Sequence, residues 1–286
     1  MRRKPHIIVR AIVILVVLFV AIMINLPFIW MLVTSFKTED AAFAIPPSFL
    51  PTIFDLRNFV KAFQLIPLSQ YVVNTLFVAL SVTFLQLVFN SLAAFGLARL
   101  RFRGSNVVFM ILIGTLMVPP EVTMVPLYVI VKQFGFINKY EALIIPFMSS
   151  AFGIFLLRQF FMGIPRELEE AAIIDGASRM KIFFTIILPL SKPALYTMAL
   201  YTFLAHWNEY MWPLIVINDA KKQMIQVGIS QFVSGWETQW TLRMAASTTA
   251  VLPIIVFFFF VQRQFVEGIS IRSEEHTSEL QSRQSI

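Results

Sequence analysis

Glu170-Ala171-Ala172-Ile173-Ile174-Asp175-Gly176, followed by Ile186-Ile187-Leu188-Pro189, is the stretch on which the reading of this chain turns. As a pattern it is E-A-A-x3-G-x9-I-x-L-P, with every position filled over 20 residues. Pro165 suits a first helical position. Glu167, Glu169 and Glu170 fall in the opening turns, where negative charge favours the helix macrodipole. Leu168, Ala171 and Ala172 recur at i, i+3 and i+4, so one face is small and apolar and lets another backbone come close. Gly176 takes positive φ at low cost and can end the helix. Ala177-Ser178 then leads into a second helical stretch over 180–187, ending at Pro189. The pattern predicts a helix-turn-helix elbow between two long apolar runs. An amphipathic helix lying on a membrane is the plain alternative, but such helices usually carry Lys and Arg, and anionic lipid would repel this acidic one.

Composition widens the picture. Of 286 residues, 58% are hydrophobic and 14% charged, with a mean hydropathy of +0.76. A soluble domain carries about 25% charged residues, so lipid is the solvent for much of this chain. Cysteine is absent, which excludes disulfide frameworks, thiolate catalysis and cysteine-held metals. The net charge of +7 does not point to nucleic acid, because the basic residues sit beside apolar runs and form no stripe with aromatic platforms. Residues 272–286, opening Arg272-Ser273-Glu274-Glu275-His276, read as a translated sequencing adapter in place of a natural tail. They are set aside as a disordered artefact.

A bilayer core needs about 20 apolar residues per helix. Candidate spans cover residues 11–33, 71–98, 107–131, 142–161, 193–217 and 244–261. The third holds Pro119-Pro120 and Glu121, so its second half is read as bent or re-entrant, and the count is six, or five if that segment does not cross. The fold class expected is therefore all-α and polytopic. Basic flanks set the orientation: Arg2, Arg3, Lys4 and Arg10 precede the first span, and Arg99, Arg101 and Arg103 follow the second. Arg158, Arg166, Arg179, Lys181 and Lys192 mark the region between the fourth and fifth. Both termini and the Glu170 elbow are thus expected in the cytoplasm. Residues 34–70, with Pro46-Pro47 and Pro51, are expected to form an ordered loop on the other side with no long helix. The first run is too long for a signal-peptide core and is expected to remain as an anchor.

The elbow resembles the cytoplasmic coupling loop of the membrane subunits of bacterial ABC importers. The likeness extends to Ile164-Pro165-Arg166-Glu167-Leu168, Asp175-Gly176-Ala177-Ser178, Leu188-Pro189-Leu190-Ser191-Lys192-Pro193, Trp207-Asn208-Glu209-Tyr210-Met211-Trp212-Pro213-Leu214 and Phe265-Val266-Glu267-Gly268. These stretches are similar to the carbohydrate-type branch, the maltose and glycerol-phosphate permeases, over essentially all of residues 11–271. The resemblance implies one permease domain over 1–271, with a core of about 70–265 and a coupling loop at 165–190. It implies that Glu167, Glu170, Ala171, Ala172, Asp175, Gly176 and Ala177 dock on a cytoplasmic ATPase dimer, which alone binds ATP and Mg. A second permease subunit, as a heterodimer, and an extracytoplasmic solute-binding protein complete the system. The place implied is the bacterial inner membrane, and the cargo a sugar, oligosaccharide or polyol phosphate.

Ionisable groups within spans are costly in lipid and so are functional candidates. Glu209, flanked by Trp207, Asn208 and Tyr210, offers hydrogen bonds and stacking to a sugar ring. Trp and Tyr also mark membrane interfaces, and the two readings stand level. Glu121 beside Pro119-Pro120 is a weaker candidate, for which a structural bend competes. Asn74, Gln86 and Asn90 are expected to bond between helices. No phosphate-binding loop, H-E-x-x-H motif or nucleophile elbow occurs, so neither cofactor nor catalytic centre is expected in this chain. An ion-coupled carrier, or a membrane scaffold recruiting an ATPase, remains as the rival reading.

Overall fold

Long apolar runs become the longest helices in the computed structural model, which describes residues 7–51, 54–100, 102–233 and 238–260. The main elements are α1 (Ile7–Ser35), α2 (Leu68–Arg99), α3 (Ser105–Thr115), α4 (Pro120–Gln133) and α5 (Ala151–Met162). They continue with α6 (Glu167–Ile174), α7 (Arg179–Leu190), α8 (Lys192–Trp207), α9 (Met211–Val216) and α10 (Trp240–Phe260). Among the described residues the β pairing is an isolated antiparallel bridge between Val233 and Thr238. Four helical stretches are long and apolar enough to cross a membrane alone, and six spans result if each of two bent pairs counts as one. The all-α polytopic expectation therefore holds. Arg2, Arg3, Lys4, Arg101, Val261, the Phe265–Gly268 stretch and the adapter-like 272–286 lie outside the described residues.

The chain divides into two compact units, residues 1–69 with 228–252, and residues 70–227 with 253–286. In the first, α1 is apolar all round and none of its spanning window is buried. The chain that follows is pinned by polar side chains. Asn58 donates from Nδ2 to the carbonyls of Ser35 (2.9 Å) and Lys37 (2.7 Å), and the Asp55 N–H donates to the Phe36 carbonyl at 2.9 Å. The buried Lys37 ammonium donates to the Ser48 carbonyl and lies 4.6 Å from the Trp30 ring centroid, a cation–π contact that offsets part of its desolvation. Glu39 accepts from the Thr241 N–H (3.0 Å) and Oγ (3.1 Å), capping the first turn of α10. Among the described residues of 34–70 no long helix forms, as expected: the longest in that loop, Arg57–Leu65, has nine residues.

The second unit holds two apolar clusters along α2. Ala94 and Phe95 pack with Leu157 and Phe161 of α5, Phe183 of α7 and Met198 of α8. Val78 and Val82 pack with Val131 of α4, Leu143, and Trp212 and Val216 of α9. Between these positions on α2 lies a polar layer. Gln86 donates to the Phe147 carbonyl (2.8 Å) and accepts from the hydroxyls of Ser150 and Thr202, both at 3.1 Å. Asn90 accepts from the Ser149 hydroxyl (2.8 Å) and the Ser150 N–H (3.0 Å). Asn74 donates to the carbonyls of Lys221 and Gln223 and accepts from the Tyr140 hydroxyl at 2.9 Å. Gln86 and Asn90 reach α8 as expected, through the Thr202 hydroxyl and Met198 Sδ (3.9 Å), whereas Asn74 bonds the connecting chain at residues 221–223 and Tyr140 instead of a neighbouring long helix. Packing is close enough that a Cβ at Gly153 would sit 2.3 Å from Asn90 Nδ2 and 2.6 Å from Met198 Cε.

Two helical expectations need correction. The fifth span does not run on to residue 217: α8 ends at Trp207 and α9 restarts at Met211. Glu209 accepts from the Trp212 N–H at 3.2 Å, satisfying a donor that a continuous helix would have bonded internally. The elbow's second helix likewise does not stop at Pro189. It runs to Leu190 through a π turn at Phe183–Ile187, a register shift that accommodates the proline's missing donor. α7 and α8 then meet at 77°, while α3 and α4 meet at 101° across the Pro119 break. The bend expected in the third segment is thus present.

Candidate functional site

The elbow around Glu170 is built on α6. Its first turn carries Glu167, Glu169 and Glu170, and Arg166 precedes it as the N-cap residue without a side-chain cap. Pro165 sits just ahead of that cap. At the other end Gly176 has φ +80°, its N–H donates to the Ile173 carbonyl (3.0 Å), and the Ala177 N–H donates to the Ala172 carbonyl (2.8 Å). That pair of bonds is a Schellman motif, in which the left-handed residue is the glycine. Ala172 and Ala177 close it on the apolar side by packing on the cluster around Phe161 and Ile182. Ser178 then starts α7, its Oγ accepting from the Lys181 N–H at 3.3 Å.

Exposure sorts the residues of this elbow. Glu167, Glu170, Ala171, Asp175 and Gly176 are exposed, and Ala172 and Ala177 are half-buried. Leu168 and Ile174 are also exposed, so the outward face mixes acid with apolar surface. The most buried side chain on α6 is the carboxylate of Glu169. Its Oε1 lies 2.9 Å from Arg99 Nε at the end of α2, with side-chain exposures of 8% and 2%. The Nε–H does not point along that line, so charge holds the pair more than hydrogen-bond geometry. The same guanidinium donates through Nη2 to the carbonyls of Phe161 and, at 2.6 Å, Ile164. One arginine thus ties the end of α2 to the last turn of α5, to the Ile164 carbonyl just beyond it and to the inner face of α6. A cleft of about 460 Å³ opens beside it, walled by Arg166, Arg179, Glu169, Glu170 and Ile173.

The residues weighed for a solute path sit at the break between α8 and α9. Trp207 is fully buried, stacked at 5.6 Å on Phe203, which in turn stacks at 3.9 Å on Phe257. Asn208 is exposed, donates to the Leu204 carbonyl (2.9 Å) and accepts from Gln226 Nε2 (3.2 Å). Glu209 caps α9, and Tyr210 is exposed at the start of that helix. Glu121 is exposed in the first turn of α4. Among the described residues no group of three or more His, Asp or Glu side chains is placed to hold a metal.

Sequence reasoning missed the Arg99–Glu169 pair. Arg99 was explained by the excess of basic residues beside a span, and Glu169 by the dipole of its helix. Their charges are complementary, but 70 positions separate them and no periodicity links the two.

Comparison with known proteins places the fold and the family. Residues 86–271 match the model of the "Binding-protein-dependent transport system inner membrane component" family. The arabinooligosaccharides transport system permease protein AraQ of Halalkalibacterium halodurans is 30% identical over 95% of this chain and 98% of its own length. The sn-glycerol-3-phosphate transport system permease protein UgpE of Pectobacterium atrosepticum is 37% identical over 71% of this chain and 73% of its own. A chain from the crystal structure of a bacterial ABC transporter involved in the import of the acidic polysaccharide alginate superposes with a TM-score of 0.78 at 24% identity. That match covers 93% of this chain and 99% of the other, and shares its fold. On the family match and the two relatives, the chain belongs to the family of inner membrane components of binding-protein-dependent transport systems.

Proposed function

We propose that this chain is one permease subunit of an ATP-driven importer for a sugar, oligosaccharide or polyol phosphate. The observation that carries this reading is the presentation of α6. Glu170, Ala171 and Asp175 face outward on a helix whose back is held by Arg99 and whose end is locked at Gly176. A helix held in this way moves as a rigid body. Seated in a cleft of a cytoplasmic ATPase dimer, which binds the ATP and Mg, it acts as a lever on α5 and α7. The bundle then exchanges inward- and outward-open states, and solute biases them only by differential affinity. An extracytoplasmic binding protein delivers the solute, and a second, different permease subunit completes the path. Both termini lie in the cytoplasm. The relatives' names, for arabinooligosaccharides and glycerol phosphate, support the substrate class. Trp207, Asn208, Glu209, Tyr210 and Glu121 are the candidates to meet the solute, with Asn208, Tyr210 and Glu121 favoured by exposure.

Glu170→Lys tests the proposal. Charge reversal in a docked interface costs several kcal/mol, so solute uptake driven by ATP should fall on the order of a hundredfold, with insertion into the membrane unchanged. Undiminished uptake by an inserted Glu170→Lys protein, or uptake that collapses with an ionophore and ignores the ATPase, would sink it.

A further inference from the structure

A second cleft, of about 510 Å³, adjoins the one beside α6 and shares Leu100 and Arg166 with it. Its polar wall is made by Arg103, Arg158, Arg166 and Asn106, and its apolar wall includes Phe102 and Met162. Among the described residues no carboxylate lines it, and none forms an ion pair with these three arginines. Arg158 is held in place without one: its Nε donates to the Leu97 carbonyl at 3.3 Å, and its guanidinium lies 3.8 Å from the Phe109 ring centroid. Arg166 also faces the adjoining cleft walled by Glu169 and Glu170, but Arg103 and Arg158 meet no carboxylate in the lining of this one, and an anion among the three guanidiniums relieves their repulsion.

The position of the cleft selects among anions. α2 ends at Arg99, α3 begins at Ser105 and α5 ends at Met162, so three apolar helices terminate at this one place. That is the depth at which a bilayer changes from acyl chain to headgroup. Phe102 and Met162 are both about half exposed, which offers apolar surface beside the charges. The first turn of α3 adds the Asn106 side chain and a helix start that has no side-chain cap at Gly104. Guanidinium groups match phosphate geometry with paired donors, and the volume is that of an ordinary small-ligand site.

We infer that this cleft binds the headgroup of an anionic phospholipid drawn from the surrounding bilayer, with the phosphate on Arg103, Arg158 and Arg166 and an acyl chain along Phe102 and Met162. The inference rests on the chain spanning a membrane and is independent of the ATPase-coupling proposal. A phosphate ion would satisfy the arginines but leave the apolar wall in water, and an acidic protein segment would do the same.

The test is native mass spectrometry of the full chain in mild detergent, titrated with phosphatidylglycerol and with phosphatidylcholine of the same acyl chains. Phosphatidylglycerol should be retained in preference. Arg103→Gln with Arg158→Gln should weaken it about thirty-fold, from about fivefold per basic residue near a membrane surface, while Arg103→Lys, which keeps the charge and loses the paired donors, should weaken it less than Arg103→Gln does. A photoreactive phosphatidylglycerol headgroup should label residues 102–106 and 158–166 of the unsubstituted protein, which decides the matter even if the double variant does not fold. Equal retention of the two lipids, labelling elsewhere, or full displacement by millimolar inorganic phosphate would overturn the inference. So would loss of the lipid on addition of the ATPase subunit, which would assign the cleft to a protein interface.

Discussion

Arg99 makes three attachments from one side chain: to the carbonyls of Phe161 in α5 and of Ile164 just beyond it, and, as an ion pair, to the buried Glu169 carboxylate. Removing one partner of a buried ion pair costs about 3–5 kcal/mol, because the other charge stays buried. Arg99→Ala should lower stability to unfolding in detergent by about that amount. Arg99→Ala with Glu169→Ala should cost less than the two changes summed. A loss below about 1 kcal/mol for Arg99→Ala would show that water reaches the pair. Gly176 presents a different kind of constraint. A Cβ there would meet nothing within 4 Å, so the cost of any side chain is the left-handed backbone alone. That cost is roughly 1–2 kcal/mol for an ordinary residue and smaller for Asn. Gly176→Asn should therefore keep most coupled uptake, and Gly176→Val should lose the most. Equal uptake by both variants would remove the Schellman turn from the mechanism.

At the scale of elements, the chain was legible where local chemistry has a single cheap solution. Gln86 and Asn90 interrupt an apolar run, and in lipid an amide must find a partner on a neighbouring helix. Gly176 after an acidic, alanine-bearing turn announced its own cap. The break at Asn208–Tyr210 was hidden because apolar residues resume at Met211 and the run reads as continuous. The bond from Trp212 N–H to Glu209, after the helix end at Asn208, marks a cap where the sequence reads as a span's interior. The turn Asp55–Arg57 shows how a short element in the first unit is kept in place. The Arg57 guanidinium and N–H donate to Asp55 at 2.9 Å and hold its carboxyl below the usual carboxylate range. A depressed carboxyl stabilises the fold above its unfolded value, and that contribution is lost as pH falls through the folded one. Exchange of the Arg57 amide should thus accelerate as pH drops below about 3.9, after correction for intrinsic exchange. Asp55→Asn should abolish the acid dependence, and a pH-independent rate in the native protein would contradict the clamp.

For the whole molecule, composition was enough to identify lipid as solvent, and the motif was enough to identify the family. Neither could say how many of the spans are straight, because bends come from prolines acting together with partners far along the chain. The 101° turn between α3 and α4 was visible in Pro119-Pro120, whereas the 77° turn at Ser191 needed the π register shift before it. α1 stands at the opposite extreme. Its 29 residues make a rod about 43 Å long, whereas the hydrocarbon layer is about 30 Å thick, and no residue of its most apolar window is buried. Its C-terminal end alone is held, by Lys37 over the Trp30 ring and by Asn58 on the Ser35 carbonyl, so a thicker or thinner bilayer that tilts the exposed length of the helix pulls directly on this polar knot.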